Sequence, residues 1–189
     1  MSTERGGRVR RVSVVGNSGS GKSTLGRALA ARLGVPFVEL DSIHHLPGWE
    51  PIGVDEFRKT VGAIVDGDGW VIDGNYSAVR DLVWARADTV IWFDLPRRTV
   101  IRQVLWRTIR RGVTREELWN GNRERLSSVF RLDPQESVVR WAWTRHRVYR
   151  ERYSRAAAER TEVEFIRIRS HKDAARLLKV SPTFRNKPA

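Results

Sequence analysis

Short apolar runs alternate with amphipathic stretches along this chain, and most of the runs stop at glycine or aspartate. Arg11-Val-Ser-Val-Val15 is β-branched and leads into a glycine-rich turn. From Lys22 to Leu33, Leu25, Leu29 and Leu33 fall at i, i+4 and i+8, one stripe of a helix. Gly34 then stops that helix as a C-terminal cap. Phe37-Val-Glu-Leu40 predicts a second strand ending at Asp41, and residues 54–65 predict a helix with Phe57, Val61, Ile64 and Val65 on one side. Trp70-Val-Ile72 predicts a third strand, ending at Asp73-Gly74. Thr89-Val-Ile-Trp-Phe93 predicts a fourth, ending at Asp94, and Pro96 suits the first turn of the next helix. Further helices are expected over 97–111, 134–158 and 171–180, and a last strand over 163–168. Residues 1–9 and 181–189 read as loose ends.

Strands that alternate with helices predict a parallel sheet covered on both faces. The expected fold is α/β: a three-layer α/β/α P-loop NTPase domain with a five-stranded parallel sheet, spanning 1–189 as one unit. The arginine-rich stretch 107–131 interrupts the rhythm and is expected as a helical lid. Ligands of such sheets bind beyond the carboxyl ends of the strands. Asp41, Asp73 and Asp94 all sit at predicted strand ends.

The strongest chemical signal is Gly16-Asn17-Ser18-Gly19-Ser20-Gly21-Lys22-Ser23, followed by Thr24. It matches G-x-x-x-x-G-K-[ST] in full, with a strand before it and an amphipathic helix after it. The glycines let successive backbone N–H groups turn toward phosphate oxygens, and the helix start adds its partial positive charge. Lys22 reaches the β- and γ-phosphates of ATP and Ser23 takes a Mg²⁺ position in this pattern. Asp73 fits the carboxylate that helps to hold such a cation, so Ser23 and Asp73 are the candidate metal ligands. Asp94 reads as a turn or cap residue beside Pro96.

Composition narrows the class. The 189 residues are 40% hydrophobic and 30% charged, a globular balance. The chain has no cysteine, so disulfides and thiolate metal sites are excluded. No apolar run approaches the ~20 residues of a membrane span, and the first residues lack the apolar region of a signal peptide. A cytoplasmic protein is expected. Residues 97–160 hold 17 arginines against 7 acids, which is +10 of the formal net charge of +13. Such density suits an anionic partner: a nucleotide, a phosphorylated small molecule or nucleic acid.

Acceptor chemistry is expected around Asp41, a carboxylate able to orient or deprotonate a hydroxyl. On residues 97–111 the apolar stripe reads as Val100, Ile101, Val104, Leu105 and Ile109. Arg107 and Arg110 then fall opposite it, with Arg111 at its margin, as lid cations for a transferring phosphoryl group. Arg145 lies on the stripe of Val138, Ala142, Tyr149 and Tyr153, where a charge must pair, snorkel or meet a ligand. Adjacent His44 and His45 do not have metal-ligand spacing.

Gly16 to Thr24, Glu39-Leu-Asp41, Trp70-Val-Ile-Asp-Gly-Asn-Tyr76, Ala87 to Pro96 and Leu118-Trp-Asn-Gly-Asn-Arg-Glu124 together resemble the adenylate-kinase-like P-loop proteins. The Trp-Asn-Gly-Asn-Arg stretch is most similar to the subgroup labelled DNA topology modulation proteins. The resemblance covers residues 10–170 and implies a nucleotide-kinase fold with a lid and an ATP site. Adenylate kinases proper carry Asp-Gly-Phe-Pro-Arg after the third strand. Here Asp73-Gly74-Asn75-Tyr76-Ser77 lacks that proline and arginine, so AMP is not implied as the acceptor. Three readings follow: a Mg²⁺-ATP-dependent phosphotransferase with an unidentified small acceptor, a nucleic-acid-associated ATP-binding protein using its basic helices, or a protein with a working ATP site and no acceptor chemistry, an ATPase.

Overall fold

The computed structural model describes residues 9–114, 117–122 and 138–179. Five strands, β1 (Arg11–Gly16), β2 (Phe37–Glu39), β3 (Trp70–Asp73), β4 (Thr89–Phe93) and β5 (Glu164–Ile168), form one sheet in the order β2-β3-β1-β4-β5. Every pairing is parallel. The helices are α1 (Lys22–Leu33), α2 (Leu40–His44), α3 (Val54–Val65), α4 (Arg80–Arg86), α5 (Arg97–Thr114), α6 (Val138–Glu159) and α7 (His171–Lys179).

Side-chain alternation along the strands divides the core into two layers. Leu25 and Leu29 of α1, Val100 and Val104 of α5 and Leu177 of α7 pack with Val12, Val14, Val71 and Ile91 on one face. Phe57 and Val61 of α3, Trp84 of α4 and Tyr153 of α6 pack with Val15, Ile72 and Trp92 on the other. Burying an aromatic ring as fully as Phe57 or Trp70 contributes about 2–3 kcal/mol. The three-layer α/β/α expectation with five parallel strands holds.

The differences from the sequence reading are local. β2 stops at Glu39, and Leu40 and Asp41 belong to the short α2, so Asp41 lies two residues past the strand end, in the first turn of that helix. α4 has only seven residues, too few to show a helical period. α5 runs without a break to Thr114, so no lid boundary falls at 107. The rest of the expected lid is described only at 117–122. The expected loose ends fall almost wholly outside the described residues.

The sheet order creates the site. β1 connects leftward to β2, and β3 returns beside β1 before β4 passes to its other side. The carboxyl end of β1 is therefore a topological switch point, where helices depart in opposite directions and leave a crevice. Asp94, just past β4, is not part of it. Its carboxylate accepts from Arg167, at 2.9 Å from Nε, and lies 3.5 Å from Arg150, tying β5 and α6 to the end of β4.

Candidate active site

Gly16-Asn-Ser-Gly-Ser-Gly21 wraps the end of β1 with three left-handed or extended-positive glycines, Gly16 (φ 140°), Gly19 (φ 72°) and Gly21 (φ 96°). Space forbids side chains at two of them. A Cβ on Gly16 would stand 2.7 Å from the Cβ of Phe93, and one on Gly19 would stand 2.7 Å from Val104 Cγ2. α1 starts directly from Gly21 with no side-chain cap, so its first N–H groups retain the capacity to bind an anion. Asn17 and Ser20 are buried within the loop, and Asn17 Oδ1 and Ser20 Oγ have no hydrogen-bond partner. Lys22 folds back, its Nζ donating to the Asn17 carbonyl at 2.9 Å. Thr24 stands at the rim.

Ser23 Oγ donates to Asp73 Oδ2 at 2.5 Å, while Asp73 Oδ1 is buried without a partner. Burial pushes the Asp73 carboxyl above its ordinary pKa, against the opposing charge of Lys22 and the Ser23 hydrogen bond. A hydroxyl beside an orphaned carboxylate oxygen is a donor set for a hard cation. Mg²⁺ is commonly held by one or two protein oxygens, completed by phosphate and water. The residues present therefore fit Mg²⁺ at Ser23 and Asp73. Among the described residues no cluster of three or more histidine, cysteine or acidic side chains exists to hold a metal by themselves.

Two residues directly after Asp73-Gly74 do work that the sequence reading missed. Asn75 grips the first glycine of the loop with both ends of its amide: Oδ1 accepts from Gly16 N–H at 3.0 Å and Nδ2 donates to the Gly16 carbonyl. Tyr153 of α6 orients that amide by donating to Oδ1 at 3.0 Å. Tyr76, the next residue, donates its hydroxyl to Asp41 Oδ1 at 2.7 Å. Burial and the Asp41 charge raise the Tyr76 pKa far above its ordinary value, so it remains a donor. His45 Nε2 lies 3.4 Å from the same hydroxyl, and the ring of His44 lies 4.4 Å from that of Tyr76. Burial and then the neighbouring His45 lower the His44 pKa, favouring the neutral ring.

Asp41, Asp73, Lys22, Ser23 and the side chains of Arg107, Arg110 and Arg111 all border one cleft of about 690 Å³, a size typical of small-ligand sites. Glu39, Asp41 and Asp73 are its acidic lining, and Lys22, Arg27, Arg107, Arg110 and Arg111 its basic lining. The arginines arrive differently from the sequence reading. Val100, Val104 and Thr108 form the buried face of α5, while Leu105 and Ile109 are exposed. The helix is thus rotated relative to the expected stripe. Arg107 flanks its buried side instead of opposing it, beside Arg111, the residue expected at the margin, and Arg107 donates to Ser18 Oγ of the phosphate loop at 3.0 Å. Arg145 falls in α6, but its side chain lies outside those described.

The Trp119-Asn-Gly-Asn122 turn is tied to the backbone of α2 and the residues after it. Asn120 Nδ2 donates to the carbonyls of Ser42 (3.1 Å) and His45 (2.6 Å), and Asn122 Nδ2 donates to that of Leu46 at 2.9 Å. Trp49 N–H donates to Asn122 Oδ1 at 2.9 Å. Trp119 Nε1 lies 3.4 Å from Glu39, which also pairs with Arg27 at 2.5 Å.

Together these features define a P-loop protein with the architecture of the small kinases. A family model for shikimate kinase matches residues 18–47, a span running from inside the phosphate loop past Asp41. Among solved structures, shikimate kinase from Bacteroides thetaiotaomicron is 12% identical, with a TM-score of 0.52, over 90% of this chain and 97% of that one. Shikimate kinase from Acinetobacter baumannii in complex with shikimate is 18% identical, with a TM-score of 0.54, over 90% of this chain and 89% of that one. Shikimate kinase from Aquifex aeolicus is 16% identical, with a TM-score of 0.50, over 89% and 92%. At these identities the likeness is one of fold. No curated protein matches the chain in sequence. No described helix is long and apolar enough to cross a membrane.

Lys22→Ala is expected to weaken Mg-ATP binding about tenfold or more in calorimetry while the thermal transition remains cooperative, because one charge contact to the phosphates is lost. Unchanged affinity would remove the nucleotide from this loop.

Proposed function

We propose that the protein is a kinase that transfers the γ-phosphoryl group of ATP, with Mg²⁺, to a hydroxyl of a small molecule. The observation that carries this reading is a single cleft bordered by both the phosphate loop and the Asp41 carboxylate. The shikimate kinase match over residues 18–47 supports it, since that span contains both most of the phosphate loop and Asp41.

Backbone N–H groups of residues 17–23 and Lys22 hold the phosphates, and Ser23 and Asp73 hold Mg²⁺, which when bound offsets phosphate charge. Tyr76 occupies Asp41 Oδ1 and turns Oδ2 to the acceptor. The acceptor oxygen bonds to the γ-phosphorus as the bond to the β–γ bridging oxygen breaks. ADP departs, and Asp41 takes the hydroxyl proton. Arg107, Arg110 and Arg111 supply positive charge where the transferring oxygens spread theirs. Arg145 is retained as a candidate for an acceptor phosphate or carboxylate. The subgroup likeness to DNA topology modulation proteins and a cytoplasmic location belong to the same reading.

The test is a screen of hydroxyl acceptors with labelled ATP, scoring phosphorylated product and free phosphate together, followed by Asp41→Asn. The amide still accepts from Tyr76 but cannot take a proton. Transfer should fall ~100-fold or more, with ATP affinity within about threefold. If both fall together, or neither falls, Asp41 is structural. Hydrolysis that only oligonucleotides stimulate, with a steep loss in salt, would favour the nucleic-acid reading instead.

A further inference from the structure

On the sheet face opposite α1, a second concavity of about 600 Å³ lies between α3, α4 and α6. Its polar lining is dominated by guanidinium groups. Arg58 is committed to Asp81 through two hydrogen bonds of 2.9 and 2.8 Å. Arg80 and Arg152 have no carboxylate partner among the described residues, and Arg160 only reaches Glu162 at 3.8 Å. Arg80 and Arg160 both stand over the indole of Trp84, at 5.7 and 5.6 Å from a ring that is itself 4% exposed. Burial and the nearby charge of Arg152 both lower the Arg80 pKa, although Tyr153 and Tyr149 oppose them.

Like charges gathered around an apolar floor repel one another and lose hydration, a cost that a bound anion offsets. Guanidinium forks match the oxygens of a phosphate, and several converging forks favour a dianion over a single carboxylate. Val54, Ala78 and Trp84 supply apolar surface for the body of a small molecule.

We propose that this concavity binds the phosphate monoester group of a small molecule, held by Arg80, Arg152 and Arg160. The site is separate from the ATP cleft but touches its supports. The Arg80 guanidinium donates to the Asn75 carbonyl at 3.4 Å, and Arg152 precedes Tyr153, whose hydroxyl orients the Asn75 amide on Gly16. An anion that draws Arg80 and Arg152 inward acts on the residue that holds the phosphate loop. Occupancy of one site therefore changes affinity at the other, by the same factor in both directions.

The experiment uses the full chain carrying Lys22→Ala, so that the phosphate loop competes less for the probe, and equilibrium dialysis against labelled inorganic phosphate. One phosphate per chain is expected, displaced by glycerol 3-phosphate and not by acetate. Arg80→Ala and, separately, the half-buried Arg152→Ala should each weaken it tenfold or more. The exposed Arg32→Ala on α1 should leave it unchanged, with a cooperative thermal transition in all three. No retained phosphate, or equal retention in both the Arg80 and Arg152 variants, overturns the site. Displacement by a single-stranded oligonucleotide with steep salt dependence overturns the small-molecule assignment. In the Lys22-intact protein, glycerol 3-phosphate should shift ATP affinity, and Arg80→Ala should abolish that shift. An unshifted affinity overturns the coupling.

Discussion

Asp73→Asn is expected to make the protein harder to unfold and nearly inactive. Asp73 is buried, and only one of its oxygens is hydrogen-bonded. Burial raises its folded pKa above the ordinary value of 3.8. A carboxyl shifted in this direction contributes its full stability below the unfolded value and loses it as pH rises through the folded value. At pH 8 the wild type therefore bears a charge that the fold accommodates poorly, and the asparagine variant does not. Ser23 can still donate to the amide oxygen. Without nucleotide or Mg²⁺, the variant should melt about 2–4 °C higher at pH 8, with the gap closing toward pH 4. Turnover should fall ~100-fold or more, because a neutral amide offers much weaker ligation to a hard cation. A variant that melts no higher than wild type at pH 8 and turns over within about threefold would make Asp73 a cap for the Gly74 turn.

Arg107→Ala should lose ~100-fold or more in turnover with less than about tenfold change in ATP affinity. A cation that meets charge developing in the transition state lowers the barrier without equally tightening the ground state, and such arginines are worth ~10³-fold or more in phosphoryl transfer. A solvated surface arginine is worth almost nothing on the same scale. Arg107 is the first choice because it already touches Ser18 of the phosphate loop. Arg110 and Arg111 border the same cleft and require the same substitution. Lysine at 107 should rescue poorly, since an ammonium lacks the guanidinium fork. Steady-state transfer to the best acceptor is the measurement. If all three alanine variants remain within about threefold of wild type, the basic end of the cleft is a solvated helix face.

The features legible in the sequence are those written in consecutive residues. The phosphate loop occupies eight adjacent positions, and its neighbours β1 and α1 follow from a β-branched run and a leucine stripe. Asp73 was visible because it ends an apolar run. Asn75 was not, because its partners Gly16 and Tyr153 lie 59 and 78 positions away and leave no periodic trace. α4 was missed for its seven residues, and α2 because one helical turn after a strand looks like the strand's own end. The face of α5 was misjudged for a different reason. Leu105, Trp106, Ile109 and Val113 are exposed apolar residues, and Thr108 is a buried polar one whose hydroxyl returns to the Val104 carbonyl. Hydrophobicity alone therefore points the helix the wrong way.

The position of β1 in the middle of the sheet also has a consequence in time. It is the first strand to be synthesised, yet its partners are Trp70–Asp73 on one side and Thr89–Phe93 on the other. At about 5–20 residues per second, roughly 4–15 s separate the end of β1 from the end of β4. Val12, Val14 and Val15 have neither neighbour until Trp70–Asp73 is made, and the apolar strand keeps one open edge until Thr89–Phe93 follows. Asn75, which braces Gly16, is also made late. The phosphate loop is thus translated early but acquires its shape only after the fourth strand arrives. A ligand that binds only the folded loop stabilises the finished protein, and the packing of Gly16 against Phe93 is absent from a chain that ends before that residue.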